Sequence, residues 1–134
     1  LGGSGIFGVE FFVDKKGGVI FSELSPRPHD TAMVTMYTQN YSQFDIHARV
    51  LTGMPLPEIK LIQTGASHVI LAEENATGDY TIEGVEKALE DEDVDYRIFG
   101  KPSLKPYRRM GVILASSLEK AKMAAKKISV VSKP

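Results

Sequence analysis

The sequence predicts an α+β protein in two parts: antiparallel strands plus a helix over residues 1–58, then a small α/β domain over residues 59–134. Three observations support this fold class. An apolar strand pair comes first, a stretch with helical spacing of apolar residues follows it, and strands and helices of mixed order come last. A segment rich in proline and glycine, near residues 53–65, separates the two patterns.

The first predicted element is a β-hairpin. Residues 6–13 and 19–23 are rich in Val, Ile and Phe, and the segment DKKGG between them has the composition of a turn. This hairpin places Glu10 and Glu23 on neighbouring strands. Glu10 interrupts an otherwise apolar run, and a carboxylate in such a place needs a partner such as a metal ion or a cationic side chain.

The second predicted element is one helix from Thr31 to Thr52, because its apolar residues recur at steps of three and four. Asp30 is its predicted N-cap, and Gly53 and Pro55 end it. The polar segment SELSPRPHDT therefore lies between a strand and a helix, in a loop. Loops held by a rigid scaffold commonly carry binding and catalytic groups.

The second part has a mixed order of elements. Strands are predicted over ASHVILAE, YRIFG and RRMGVILA, and a short helix over TIEGVEKALED, with Thr81 near its start. The last helix begins at SSLE, where Ser116 and Glu119 fit a capping box. Its predicted buried face consists of Leu118, Ala121, Ala125 and Ile128.

Composition limits the kinds of function. Sixteen Lys and Arg against seventeen Asp and Glu give a formal net charge of −1, which does not favour a nucleic acid or an anionic membrane as partner. The absence of cysteine removes disulfides, zinc–thiolate sites and thiol nucleophiles, and it fits a cytoplasmic protein. No apolar run approaches the ~20 residues of a membrane span.

Two glycine-containing motifs are not interpreted as nucleotide sites. Gly3, Gly5 and Gly8 spell G-x-G-x-x-G, but the dinucleotide fingerprint needs a strand before it and a helix after it, and here a strand follows. The segment FGKP around Lys101 lacks the Ser or Thr and the earlier glycine of a P-loop. The acidic run EDEDVD is interpreted as a solvated helix end, because charge runs usually face water.

The paired glutamates are the stronger signal for a site. Mg²⁺ takes oxygen ligands at about 2.0–2.1 Å and keeps waters and substrate phosphates in its other positions. Glu10 and Glu23 could supply such oxygens; the alternative is that they point to solvent or form ion pairs. Arg27 follows closely, and its guanidinium could hold a phosphoryl or carboxylate oxygen that the metal also contacts.

The segment from Gly8 to Thr35, with the run ELSPRPHDT at its centre, resembles the metal-binding end of the ATP-grasp enzymes. Within them it is similar to the formate-dependent phosphoribosylglycinamide formyltransferases. The related carboxylase-type enzymes acting on aminoimidazole ribonucleotide typically show A-P-R-P-H-N-S-G, so Asp30 and Thr31 favour the formyltransferases. The resemblance continues through ASHVIL and IFGKP to YRRMGVILA and covers nearly the whole chain.

This resemblance implies the C-terminal part of an ATP-grasp domain for residues 1–58 and the small C-terminal domain of these enzymes for residues 59–134. It also implies that Glu10 and Glu23 bind the Mg²⁺ that bridges the phosphates of ATP. Arg27 is then the expected catalytic residue. The residues expected to bind glycinamide ribonucleotide are Asp30, Lys101, Arg108 and Arg109.

The implied reaction belongs to purine biosynthesis and has two steps. ATP phosphorylates formate to formyl phosphate, and the amine of the ribonucleotide attacks it to give the N-formyl product, ADP and phosphate. Phosphoryl transfer depends mainly on positioning and charge neutralisation. The implied partners are ATP, formate, glycinamide ribonucleotide, the N-terminal part of the same protein and a second copy in a homodimer.

Two interpretations stay open. The lysines and flexible loop that close over ATP in this family are absent, so we expect a C-terminal fragment of a longer enzyme, inactive alone. The alternative is a non-catalytic module that retains the ATP-grasp metal face for binding a nucleotide or a partner. His29 could be a proton shuttle near the acyl phosphate, or it could orient the loop by a hydrogen bond.

Overall fold

The computed structural model of the protein describes residues 2–133. The chain clusters into two compact units, Leu1–Ile62 and Gln63–Pro134. All strand pairs in the described part are antiparallel, and helices accompany them in both units, which confirms the predicted fold class. The assignment of residues 1–58 and 59–134 as separate domains stays a prediction. No helix among the described residues is long and apolar enough to cross a membrane.

The first unit opens with the predicted hairpin. Strand β1, Gly8–Val13, pairs with β2, Val19–Ser25, and the register shifts by one residue after the pair formed by Glu10 and Glu23. Because the next pair is Phe11 with Phe21, Ser22 is the extra residue of β2, so the irregularity is a β-bulge.

The turn between β1 and β2 is held by an acidic side chain. Oδ1 of Asp14 accepts hydrogen bonds from the amides of Lys16 at 2.7 Å and Gly18 at 2.8 Å. Gly17 has a φ of 83°, a left-handed conformation that favours glycine. The aspartate and the glycines of the segment DKKGG, whose composition predicted the turn, are the residues that form it.

The predicted single helix over Thr31–Thr52 is wrong. The structure has a 3₁₀ turn, Asp30–Ala32, a short helix α1, Thr35–Thr38, and a longer helix α2, Gln43–Thr52. The prediction of Asp30 as an N-cap is also wrong, because Asp30 is the first residue of the 3₁₀ turn and His29 occupies the cap position.

The helix is interrupted because residues 39–42 have other partners. Gln39 is extended and forms a bridge to Leu61. The side chain of Asn40 binds the carbonyl of Glu58 at 3.1 Å and the amide of Lys60 at 2.8 Å. These contacts with a distant segment outweigh the helical periodicity, which reports only local spacing.

Helix α2 has signals of its own at both ends. Ser42 and Asp45 form a capping box, in which each side chain accepts the backbone amide of the other. Gly53 ends the helix at a φ of 68°, as predicted.

The second unit has two sheets. The elements in chain order are β3 (Ala66–Leu71), β4 (Tyr80–Glu83), α3 (Val85–Ala88), β5 (Val94–Ile98), β6 (Arg109–Ala115), α4 (Leu118–Ala125) and β7 (Ser129–Ser132). In the larger sheet β6 lies between β3 and β5, and in the smaller sheet β4 pairs with β7.

Two predictions for the second unit are wrong. Residues 80–83 are a strand rather than the start of a helix, because they pair with β7, a strand that the local pattern did not reveal. Helix α4 is capped by Ser117, whose side chain accepts from the amide of Lys120. Ser116 instead donates to Asp93 at 3.1 Å.

The core of the second unit lies between β6 and α4. Met110 and Ile113 of β6 are fully buried, and α4 contributes Ala121 and Ala124. Of the predicted helical face only Ala121 is fully buried. Leu118 is half-exposed, while Ala125 and Ile128 pack at the edge of the core, because the helix ends before residue 128 and β7 takes over.

Candidate functional site

Two glutamates face each other across the β1–β2 hairpin. Glu10 lies directly opposite Glu23 in the register, and opposite residues of an antiparallel pair project from the same face. Both side chains are exposed, and Oε1 of Glu23 accepts a hydrogen bond from the hydroxyl of Ser25. Like charges opposite each other destabilise a strand pair. A cation held between the two carboxylates would relieve this repulsion.

His29 connects the loop after β2 to the first of these glutamates. Its Nε2 lies 3.1 Å from Oε1 of Glu10, and its Nδ1 lies 3.2 Å from the hydroxyl of Thr31. The ring also packs over Gly8, where an added Cβ would lie 3.1 Å from Cγ of the imidazole. A side chain at position 8 would therefore press on the ring that contacts Glu10.

The buried side chain of Gln43 holds the backbone of His29. Its Oε1 accepts from the His29 amide at 2.8 Å, and its Nε2 donates to the His29 carbonyl at 2.7 Å. Sequence reasoning missed this residue, because it treated residues 31–52 as one helix. The capping-box pattern at Ser42 is the signal that could have placed Gln43 at the first turn of a helix.

Arg27 and Asp30 are both exposed on the loop between β2 and α1. Nη1 of Arg27 donates to the carbonyl of Pro28 at 3.1 Å. The hairpin and this loop together carry four predicted site residues of the first unit: Glu10, Glu23, Arg27 and Asp30.

The remaining predicted site residues lie in the second unit, on the loop between β5 and β6 and at the start of β6. Leu104, which is 1% exposed, anchors this loop. Its amide donates to the carbonyl of Ala76 at 2.8 Å, and the amide of Ala76 donates back at 3.2 Å. One buried side chain and two backbone hydrogen bonds thus hold an otherwise polar loop.

The three predicted site residues of this segment are all cationic. Lys101 is exposed, and its carbonyl accepts from the hydroxyl of Tyr80 at 2.7 Å. Arg109 is exposed at the first position of β6. Arg108 is half-buried, and its Nη1 donates to the carbonyl and the hydroxyl of Ser103 at 3.0 and 2.8 Å. Arg108 therefore braces the loop from within, which the sequence did not reveal.

The acidic run of the second unit is ion-paired. Nζ of Lys120 lies 3.2 Å from Oδ1 of Asp91 and 2.5 Å from Oδ2 of Asp93. The hydrogen bond from the Asp93 amide, and then that from Lys120, lower the pKa of Asp91. Hydrogen bonds from Lys120 and Ser116 lower the pKa of Asp93. Within residues 2–133 no group of three or more His, Cys, Asp or Glu is arranged to hold a metal ion.

Comparison with known protein families matches both parts of the chain. Residues 65–131 match the family described as PurT, C-terminal, and residues 1–44 match the ATP-grasp domain. The predicted resemblance to ATP-grasp enzymes is thereby confirmed.

Two similar curated relatives share one name. Proteins from Trichormus variabilis and Anaeromyxobacter dehalogenans, 52% and 50% identical over 98% and 97% of this chain, are each named formate-dependent phosphoribosylglycinamide formyltransferase. The chain spans 35% of the length of each of these relatives.

Solved structures give the same fold. N5-carboxyaminoimidazole ribonucleotide synthetase from Thermotoga maritima is 35% identical, with a TM-score of 0.85 over 96% of this chain and 38% of that one. Glycinamide-RNase-transformylase T from Mycobacterium tuberculosis is 26% identical, with a TM-score of 0.63 over 94% of this chain and 32% of that one. The chain therefore belongs to the PurT, C-terminal family, and it shares about half of its residues with proteins named formate-dependent phosphoribosylglycinamide formyltransferase.

Proposed function

We propose that this chain is the C-terminal part of an ATP-dependent enzyme that formylates glycinamide ribonucleotide with formate in purine biosynthesis. The observation that carries the proposal is the pair Glu10 and Glu23, set opposite each other on a hairpin that leads into the loop of Arg27 and Asp30. This arrangement occurs in a chain 52% identical to a formyltransferase.

The two glutamates suit Mg²⁺ by their chemistry. Magnesium is commonly bound by one or two carboxylates together with substrate phosphates, and Glu10 and Glu23 offer carboxylate oxygens on one face of the hairpin. A cation there also relieves the repulsion between the two charges. Bound with ATP, the ion supplies neutralisation of phosphate charge.

Arg27 acts on the group being transferred. Its guanidinium carries five donors in a planar fork, which matches phosphoryl and carboxylate oxygens, and it is exposed on the loop that follows Glu23. In this role Arg27 holds the phosphoryl group against formate while charge shifts between the two. The enzyme gains rate here mainly from orientation.

The residues that this proposal assigns to the ribonucleotide are Asp30, Lys101, Arg108 and Arg109. Lys101 and Arg109, exposed on the anchored loop and strand start, supply cationic donors for a phosphate. Asp30 accepts from the amine that attacks formyl phosphate. Arg108 contributes through the loop that it braces as well as by its charge.

The complete enzyme contains further residues that grip ATP. In this proposal it is a cytoplasmic homodimer, and the lysines and flexible loop that close over the nucleotide come from the part preceding this chain. The length of the relatives supports a further part of the enzyme, because this chain spans 35% of the length of the relative from Trichormus variabilis. The non-catalytic module is the alternative, and activity of the complete protein decides between them.

The test uses the complete enzyme that contains this chain, with ADP release measured in the presence of formate, Mg²⁺, ATP and glycinamide ribonucleotide. We expect Glu23→Gln to lower kcat by at least tenfold and to raise the Mg²⁺ requirement, while Glu58→Gln, at an exposed glutamate of the same unit, leaves both unchanged. If Glu23→Gln left both kcat and the Mg²⁺ requirement unchanged, the metal assignment would be overturned.

The ribonucleotide site is tested separately. Arg109→Ala should raise the KM for the ribonucleotide more than that for ATP, whereas Arg97→Ala, at another exposed strand arginine of the second unit, should change neither. Equal effects of Arg109→Ala on both KM values would argue against phosphate binding there.

A second candidate is carboxylation of aminoimidazole ribonucleotide. It is suggested by the N5-carboxyaminoimidazole ribonucleotide synthetase structure, which has a TM-score of 0.85 to this chain. Replacing formate and glycinamide ribonucleotide by bicarbonate and aminoimidazole ribonucleotide distinguishes the two. ADP release only with the second pair of substrates would favour this candidate.

A further inference from the structure

Gln43 is not among the residues assigned above to substrate or metal. It is 6% exposed, and a buried polar side chain is normally hydrogen-bonded. Both ends of its amide bind the same residue, the backbone N–H and C=O of His29. Two short hydrogen bonds to one residue fix the position and the orientation of that peptide segment more firmly than one would.

The segment that Gln43 fixes carries the contact to a predicted metal ligand. The ring of His29 reaches Oε1 of Glu10 at 3.1 Å and rests on Gly8. Movement of the His29 backbone would therefore move the imidazole that contacts the carboxylate of Glu10.

The backbone of Gln43 is also held by hydrogen bonds. Its backbone N–H donates to the hydroxyl of Thr35 at 3.0 Å, and that hydroxyl donates to the carbonyl of Ala32 at 2.6 Å. Ser42, the residue before it, closes the capping box of α2. The side chain thus extends from a fixed helix start to the loop.

We propose that Gln43 is a positioning residue that sets the orientation of the Glu10 carboxylate through His29. This inference rests on the proposed function, because it takes Glu10 as a ligand of the Mg²⁺ used with ATP. Residues that orient metal ligands from outside the coordination sphere commonly change metal affinity by about 10–100-fold when replaced. Gln43 acts by hydrogen bonds and touches neither substrate nor ion.

The test compares Gln43→Met, which keeps the length but removes both hydrogen bonds, with Thr38→Val. Thr38 is a buried polar residue of the same unit whose hydroxyl donates to the carbonyl of Val34 at 3.1 Å, with no link to His29. In the complete enzyme we expect Gln43→Met to raise the Mg²⁺ concentration for half-maximal ADP release by about tenfold, with a smaller change in the KM for the ribonucleotide. Thr38→Val should shift neither.

A second readout does not depend on activity. Amide hydrogen exchange, measured without substrates or Mg²⁺, should be faster at His29 in Gln43→Met and unchanged there in Thr38→Val. Gln43→Glu keeps the acceptor but loses the donor, so it should also raise the Mg²⁺ requirement. Comparing the thermal midpoints of the variants checks that each one is folded.

The outcomes separate this inference from the proposed function. Absence of formate-dependent ADP release in the unmodified enzyme would reject the proposed function, whatever the exchange data show. With activity present, an unchanged Mg²⁺ requirement in folded Gln43→Met and Gln43→Glu would overturn the positioning role. An equal rise in Thr38→Val would also overturn it, because the effect would then follow from loss of stability alone.

Discussion

Replacement of Gly84 by alanine should destabilise the second unit strongly. Gly84 joins β4 to α3 with a φ of 82°, and a Cβ built on it would lie 1.9 Å from the carbonyl oxygen of Lys127. No flexible side chain is involved, so the main chain itself must move. The turn that follows α4 approaches the start of α3 at a distance that only glycine permits.

The expected cost has two contributions. A non-glycine residue in the left-handed region costs about 1–2 kcal/mol, and forcing extra volume into a packed contact costs about 1–3 kcal/mol more. Gly100 provides a matched control in the same unit, because its φ is 57° but an added Cβ would meet nothing within 4 Å. Gly100→Ala should therefore show only the first contribution.

Urea and thermal unfolding followed by far-ultraviolet circular dichroism would measure both variants. Since about 1 kcal/mol corresponds to about 4–8 °C in a domain of 60–100 residues, Gly84→Ala should lower the midpoint by at least 8 °C, and by clearly more than Gly100→Ala. Equal losses in the two variants would refute the argument from close approach and leave backbone strain as the whole effect.

Four further outcomes are expected. Ser42→Ala removes the cap of α2 and should cost about 1 kcal/mol in urea unfolding. Leu104→Ala should cost about 2–5 kcal/mol and raise the KM for the ribonucleotide in the complete enzyme, because the loop loses its anchor. The Asp93 amide and Lys120 lower the pKa of Asp91, and Lys120 and Ser116 lower the pKa of Asp93, so these acids add stability above about pH 4 that is lost as the pH falls through the acidic range; Lys120→Met removes the contribution of Lys120 and should therefore partly flatten the decrease in urea midpoint between pH 5 and pH 3. The purified 134-residue chain, incubated with ATP, formate, glycinamide ribonucleotide and Mg²⁺, should release no ADP above background, whereas addition of the preceding part of the enzyme should restore release.

Local patterns in the sequence predicted the hairpin well. Two runs rich in Val, Ile and Phe and a turn rich in glycine predict a hairpin without help from distant residues, so Glu10 and Glu23 could be placed on adjacent strands. Their direct opposition, however, depends on the bulge at Ser22, which no local sequence pattern predicts.

The errors arose where distant segments decide the structure. Helical spacing continues through Gln39 and Asn40, yet their bonds to residues 58–61 break the helix. Strand β4 exists because β7 lies beside it. The same reason explains why Gln43 was missed, since its importance comes from a hydrogen-bond partner 14 residues earlier.

The bulge in β2 has a consequence for how this hairpin can change in evolution. In a regular ladder, inserting or deleting one residue would turn every later side chain to the opposite face. Here Ser22 already sits unpaired between the pair Glu10–Glu23 and the pair Phe11–Phe21. A one-residue change in the length of the turn, or of the strand segments next to it, can be compensated at this bulge, and the two carboxylates then stay opposite each other. Homologous chains with hairpins one residue shorter or longer can therefore keep the same carboxylate pair.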